Sequence, residues 1–332
     1  MRRRQFITGL GGTAITWPLP ALAQRRARIS RIGFLHPGLV EAANLRIAAV
    51  REGLRDQSNR DDLDVEIVRA VAEETPTRLA VLAQELATNG VDVIIAASPS
   101  AVRAAKDATG NIPIVAVDLE SDPVASGWIA SLAHPGGNVT GLFLDFPDFS
   151  AKCLQLLTEA IPGVSGVGVL WDPSTGPRQL RAVEKAATGL SISLQVVEVH
   201  AVAHLADAMA SVSHNAARAV LLLSSPVFGG SQQLVADLAL KNQLPSLMLF
   251  TEFAKVGGLL AYGPNLQDLF RQAAAVTRKL LLGARAADLP VERPARFQLA
   301  INLKTAKALG LTIPPTLLAR ELHASVGADY RG

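Results

Sequence analysis

The sequence predicts an α/β protein built as two doubly wound lobes, each a parallel sheet covered by helices, joined by a hinge. Three observations carry this. Short apolar runs alternate with helical patterns along the 332 residues, as in parallel strands buried on both faces. The same plan recurs in the same order: "IGFLHPG" (Ile32–Gly38) resembles "VGVLWDPS" (Val167–Ser174), "VDVIIAASPS" (Val91–Ser100) resembles "RAVLLLSSPV" (Arg218–Val227), and "NIPIVAV" (Asn111–Val117) resembles "QLPSLML" (Gln243–Leu249). A composition of 49% hydrophobic and 18% charged residues can fill the cores this requires.

The elements follow in chain order. Residues 1–23 read as a signal peptide. "MRRRQF" is its positive region, "ITGLGGTAITWPLP" its apolar stretch, and "ALA" an A-x-A cleavage signal at Ala21 and Ala23. Arg3-Arg4-Gln5-Phe6-Ile7 resembles a twin-arginine export signal, and no cysteine lies near the cut to carry a lipid. Lobe one is expected over 29–143 plus 264–290, and lobe two over 144–263 plus 296–332. In the first lobe "RIGFL", "LDVEIV", "VDVIIAA" and "IPIVAV" are strands. "EAANLRIAAVREGL", "TRLAVLAQELATNG" (stopped at Gly90) and "SAVRAAKDAT" are helices. "HPGGNVTG" lies between the two copies, and the glycines around Gly137 are expected to carry the chain from one lobe to the other. A second crossing near Gly263, Pro264 and Asn265 sends the long helix that follows back to lobe one. The Pro-punctuated end offers a strand at "FQLAI" and a helix from Asn302 to Leu309.

Several chemistries are excluded or disfavoured. "HPGGNVTG" does not sit between a strand and a following helix, and neither G-x-G-x-x-G nor G-x-x-x-x-G-K-[ST] occurs, so no nucleotide loop is expected. Removing Arg2, Arg3 and Arg4 with the leader takes the formal charge from +3 to 0, so basicity does not indicate nucleic-acid binding. The single cysteine, Cys153, permits no intramolecular disulfide and reads as a core thiol. There is no G-x-S-x-G elbow and no H-E-x-x-H. His200 and His204 lack a third ligand, so neither a metal nor any other cofactor is expected.

Ligands of open α/β sheets bind beyond the carboxyl ends of the strands. Two facing lobes bring both sets of ends to one cleft. Lobe one offers His36-Pro37-Gly38, Ser98-Pro99-Ser100 and Asp118 to Asp122. Lobe two offers Asp145, Asp172 to Ser174, Ser224-Ser225-Pro226 and Thr251-Glu252. Ser98 and Ser100 flank the proline that opens a helix, where free N–H groups and hydroxyls suit an anion; one of the two serines equally suits a plain N-cap. Ser224-Ser225-Pro226 is the mirror position in lobe two, and Ser174 comes from the separate strand end Asp172 to Ser174. Asp122, Asp145 and Glu252 suit an ammonium or hydroxyls, and equally suit capping. Trp171 ends a strand, where it suits either ring stacking or the core. The candidate ligand-binding set is therefore His36, Ser98, Ser100, Asp122, Asp145, Trp171, Ser174, Ser225 and Glu252.

Five segments add a resemblance: "VDVIIA", "AAKDATGNIPIVAV", "SDPVASGWIASLAHPGGNVTG", "FTEFAKVGGLLAYGPNL" and "INLKTAKALGLTIPPTLLAR". From about Val91 to Arg320 the chain resembles the ABC-transporter substrate-binding proteins labelled tryptophan/tyrosine- or sugar-type. "QSNRDDLDVEIVRAVAE" (Gln57–Glu73) departs from that family's pattern. The resemblance implies a type I periplasmic-binding-protein fold, capture of a small solute such as an amino acid or related carboxylate, and delivery to an ABC permease in the inner membrane. It implies a periplasmic protein that catalyses no reaction, and a monomer is expected. It carries Ser98, Ser100, Asp122 and Glu252 over as cleft residues. A secreted enzyme on a two-lobed scaffold is the alternative; a transcription regulator is disfavoured by the leader and by the lack of an N-terminal helix-turn-helix.

Overall fold

The computed structural model describes residues 29–56, 64–144, 146–214, 217–294 and 297–326. The leader and Asp145 lie outside them. The chain opens with β1 (Ser30–His36), α1 (Val40–Asp56), β2 (Val65–Val71), α2 (Pro76–Thr88), β3 (Val93–Ala97), α3 (Pro99–Ala108), β4 (Ile114–Asp118) and β5 (Val139–Phe143). These five strands form one parallel sheet in the order β2-β1-β3-β4-β5.

The second lobe follows: α4 (Phe146–Ala160), β6 (Gly166–Trp171), α5 (Arg178–Leu190), β7 (Ser193–Glu198), α6 (Leu205–His214), β8 (Val220–Leu222), α7 (Pro226–Gly229), α8 (Gln232–Lys241), β9 (Ser246–Met248), α9 (Glu252–Lys255) and β10 (Leu260–Gly263). Then come α10 (Leu266–Leu281), β11 (Gln298–Ile301), α11 (Leu303–Ala308) and α12 (Pro315–Val326). The second sheet runs β11-β10-β9-β8-β6-β7, and β11 is its only antiparallel member. This is the two-lobed arrangement of type I periplasmic binding proteins.

Each sheet is buried on both faces, and strand alternation sorts the side chains. In β1, Ile32 and Phe34 join a core with α1 and α10, while Leu35 joins the core under α2 and α3. Lobe two repeats this: Val167 and Val169 face one core and Leu170 the other. The return helix α10 belongs to the first lobe. Its Leu269, Phe270, Ala273 and Ala274 pack on α1, so closely that a Cβ on Gly53 would lie 2.7 Å from the Arg271 carbonyl oxygen.

The Gly136–Gly137 turn is not a crossing. The Gly136 N–H bonds the Ala287 carbonyl at 3.1 Å, and the chain continues within lobe one as β5. The first crossing comes after Phe143, because pairing with β4 still claims residues 139–143. The second lies between Gly263 and Leu266. A third follows the Glu292 bridge to Leu142 and precedes β11. Three strands of chain thus form the hinge.

No helix among the described residues is long and apolar enough to cross a membrane. Gly141, inside β5, has φ +129°, and an added Cβ would sit 2.2 Å from the Ala116 carbonyl oxygen of β4. Backbone cannot yield as a side chain can, so Gly141→Ala is expected to destabilise the protein by about 3 kcal/mol. Urea denaturation checks this; a loss under about 1 kcal/mol would contradict the close approach.

Candidate functional site

The carboxyl ends of β1, β3 and β4 face those of β6, β8 and β9, and the lobes touch there. Ser224 Oγ, just past β8, donates to Glu120 Oε1, just past β4, at 2.6 Å across the lobe boundary. Ser224 is held for this by Gln179, whose amide accepts from the Ser224 N–H at 2.8 Å and donates to its carbonyl at 3.0 Å. The other Glu120 oxygen accepts from the Leu119 N–H. Arg178 of α5 adds an ion pair to Asp122 at 3.0 Å on the exposed rim.

Three acids cluster around this contact. Asp118 Oδ1 accepts from the Glu120 and Ser121 N–H groups at 3.0 Å, and its Oδ2 is buried without a partner. Asp172 accepts from Ser225 Oγ at 2.6 Å and from the Ser174 N–H at 2.9 Å. All three are buried. Burial pushes the Asp118 carboxyl up to about 6 and that of Glu120 up to about 8, where the neighbouring Asp118 charge adds to the effect. Arg46 of α1 is the nearby cation. It stands 5.8 Å over the Phe270 ring, and burial pulls it down to about 10.

Four cavities line the interface and divide the sequence-predicted residues among them. Ser98 and Ser225 line the inner cavity of about 30 Å³, with Arg46, Glu120 and Phe250. Ser100 and Ser174 line the mouth, about 330 Å³, with Asp172, Leu79, Val227 and His200. Pro226 lines both. Asp122 lies in a third cavity beside the hinge, where its Oδ1 also accepts from the Val124 and Ala125 N–H groups. Glu252 lies in a fourth, against α1 and α10, and accepts from the Leu266 N–H at 3.3 Å, which ties α9 to the start of the return helix. Burial raises its pKa.

Two expected residues stand elsewhere. His36 is fully buried; its Nδ1 accepts from the Gly38 N–H at 3.0 Å, and burial and Arg46 push its pKa well down, so it is neutral. Trp171 turns into the lobe-two core and donates its indole N–H to the Gly176 carbonyl at 3.1 Å, because β6 ends with that side chain facing α4 and α5. Ser98 does cap α3: its Oγ accepts from the Ala101 N–H and lies 3.0 Å from Ser100 Oγ. It does so at φ 135°, a conformation that a side chain disfavours. Asp118, Glu120 and Asp172 belong to the strand ends that the sequence offers, whereas Arg46 comes from the middle of α1 and from none of them. Cys153 is buried, and burial pushes its thiol up. His200 and His204 stand ring to ring at 6.4 Å. Among the described residues no cluster of three metal-ligating side chains occurs.

The chain is similar to known solute-binding proteins. The family model for ABC transporter substrate binding proteins matches residues 35–324. A tyrosine-binding protein of Clostridioides difficile (strain R20291) is 25% identical over 278 residues, covering 83% of this chain and 78% of that protein. The crystal structure of an ABC domain in complex with L-Trp from Streptococcus pneumonia superposes with a TM-score of 0.78 at 23% identity, over 88% of this chain and 98% of that one. A conserved domain protein from Vibrio cholerae O1 biovar eltor gives 0.80 at 22% identity, with the same coverage.

The raised carboxyls have a consequence for stability. Burial, and for Glu120 the neighbouring Asp118 charge, hold the Glu120 and Asp118 carboxyls above their ordinary 4.5 and 3.8, and the two titrate as an interacting pair. Their contribution is full below pH 4 and is lost as pH rises through about 8, because only the unfolded chain ionises freely in that window. The melting temperature of wild type relative to Glu120→Gln is therefore expected to be higher at pH 5 than at pH 8. An equal difference at both pH values would contradict the burial.

Proposed function

Since the chain belongs to the ABC transporter substrate-binding family, we propose that it captures an amino acid or a related small carboxylate between its lobes and presents it to an inner-membrane ABC permease. The observation that carries the ligand class is the buried acid set at the lobe boundary. Glu120 and Asp172 lie at the inner and mouth cavities, where an incoming ammonium compensates their lost hydration. The mouth, at about 330 Å³ and with Leu79 and Val227 in its lining, is of a size for a small side chain. A tyrosine-binding relative and an L-Trp complex of the same fold support this class.

Ser100 and Ser98 at the start of α3 add donors for an anionic group. His36 and Trp171 act as supports in this reading rather than as contacts, and Asp122 and Glu252 act on lobe closure through Arg178 and Leu266. The protein binds its solute as a monomer without altering it and needs no cofactor. A secreted enzyme, the alternative, needs a nucleophile bonded to a base: the one thiol is buried and raised, His36 is enclosed, and His200 at the mouth pairs with Glu198 at 3.5 Å rather than with a serine.

The leader places the mature protein in the periplasm, its first residue near Gln24. N-terminal sequencing of a periplasmic extract checks this, and a retained leader in the cytoplasm would count against export. A thermal-shift and calorimetric panel of amino acids, small carboxylates and sugars tests the binding reading. A true solute at 100 times its dissociation constant adds about 2.7 kcal/mol of stability. Ser100→Ala is expected to weaken it roughly tenfold by removing a bond to a charged group, with little change in melting temperature. No stabilisation by any member of the panel would sink the proposal.

A further inference from the structure

Arg46 is out of place for its surroundings. It sits on the inward face of α1 with Ala42, Ala43, Ile47, Ala49 and Val50, where an apolar residue would pack, and only 7% of it is exposed. Its guanidinium has five N–H donors, yet none makes a hydrogen bond to any described residue; its contacts are the Phe270 ring and the field of Glu120. Glu120 does not need it, because both Glu120 oxygens already accept from Ser224 and Leu119. A buried cation without hydrogen bonds is costly to keep. Here it lines the inner cavity together with Ser98 at the start of α3. It also reaches lobe two: Arg46 Nη2 would stand 3.6 Å from a Cβ on Gly229.

We infer that Arg46 is the anion anchor of the cleft, taking the solute's carboxylate in the inner cavity with Ser98 as its neighbour. The inference rests on the proposed solute-binding function and deepens it. The inner space, about 30 Å³, matches one small polar group rather than a whole solute. The carboxylate therefore enters first and the body of the solute stays in the adjoining mouth. The α-ammonium then falls between Glu120 and Asp172, one on each lobe. An arginine fork suits this task better than an ammonium point charge, since it meets a carboxylate with two parallel bonds. Because Arg46 comes from lobe one and abuts α7 of lobe two, a bound carboxylate also favours the closed arrangement.

The test compares each amino acid with its decarboxylated amine, such as L-tyrosine with tyramine and L-tryptophan with tryptamine, by calorimetry on the full mature chain, with neutral pentoses and hexoses alongside. Wild type is expected to prefer its best amino acid over the matching amine by about a hundredfold. Arg46→Met is expected to bind the amino acid at least tenfold more weakly and the amine about as before, so the preference collapses; Arg46→Lys falls between. Ligand-free Arg46→Met is expected to melt no lower than wild type, which a structural role would not allow; Arg46→Gln serves if the methionine variant fails to fold. Full preference retained in either variant overturns the assignment. Wild type that binds an amino acid no more tightly than the matching amine overturns the assignment and leaves the amino-acid reading standing, whereas wild type binding only sugars overturns both. Wild type binding nothing in the panel overturns both.

Discussion

The hydrogen bond from Ser224 to Glu120 is where the two lobes commit to each other. It is short, buried, and made between residues 104 apart in sequence at the ends of strands from different sheets. Its geometry depends on Gln179 holding Ser224 and on the turn after β4, in which Asp118 receives two backbone N–H groups. A closed interface that buries Asp118, Glu120 and Asp172 against one arginine has more acid than base. Such a site is electrostatically incomplete by itself. Burial answers by raising the Asp118 and Glu120 carboxyls toward protonation; in the proposed amino-acid reading an ammonium would let them ionise.

The remaining structure serves to make that closure repeatable. Each lobe is packed on both faces of its sheet, with β3, β4 and β5 wholly buried in the first lobe and β8 and β9 in the second. Three crossings join the lobes, after Phe143, between Gly263 and Leu266, and between the Glu292 bridge and β11. Glu252 and Asp122 sit beside these crossings and bond to the opposite lobe's chain at Leu266 and Arg178. Motion of rigid bodies about a few linker residues is the ordinary way such a cleft opens and shuts.

Much of this was legible in the sequence, for identifiable reasons. Two-sided burial writes itself as continuous apolar runs, so the strands and their duplication could be read directly. The rule that ligands gather at strand carboxyl ends pointed to Ser98, Ser100, Ser174 and Ser225, which the structure brings to adjoining cavities. What failed depended on tertiary detail. The Gly136–Gly137 turn looked like a lobe crossing, but backbone pairing with β4 keeps the next strand in lobe one. Glu120 lay in the stretch from Asp118 to Asp122 that the sequence offers, and only the approach of Ser224 singles it out. For Trp171 the sequence left ring stacking and the core open, and the structure turns its ring toward the core. Arg46 was invisible because an arginine on an amphipathic helix reads as its solvent face.

The most direct measurement of the central claim is the titration of the Glu120 side-chain carboxyl, followed by carbon NMR in protein labelled at glutamate and assigned with Glu120→Gln. Without added solute its midpoint is expected well above 4.5. Saturation with an amino acid should drive it down by placing an ammonium against it. A midpoint near that of an exposed glutamate, unmoved by the solute, would contradict the account: Glu120 would then be hydrated, the lobes would not close on it, and the acid cluster would not be the place where the solute is recognised.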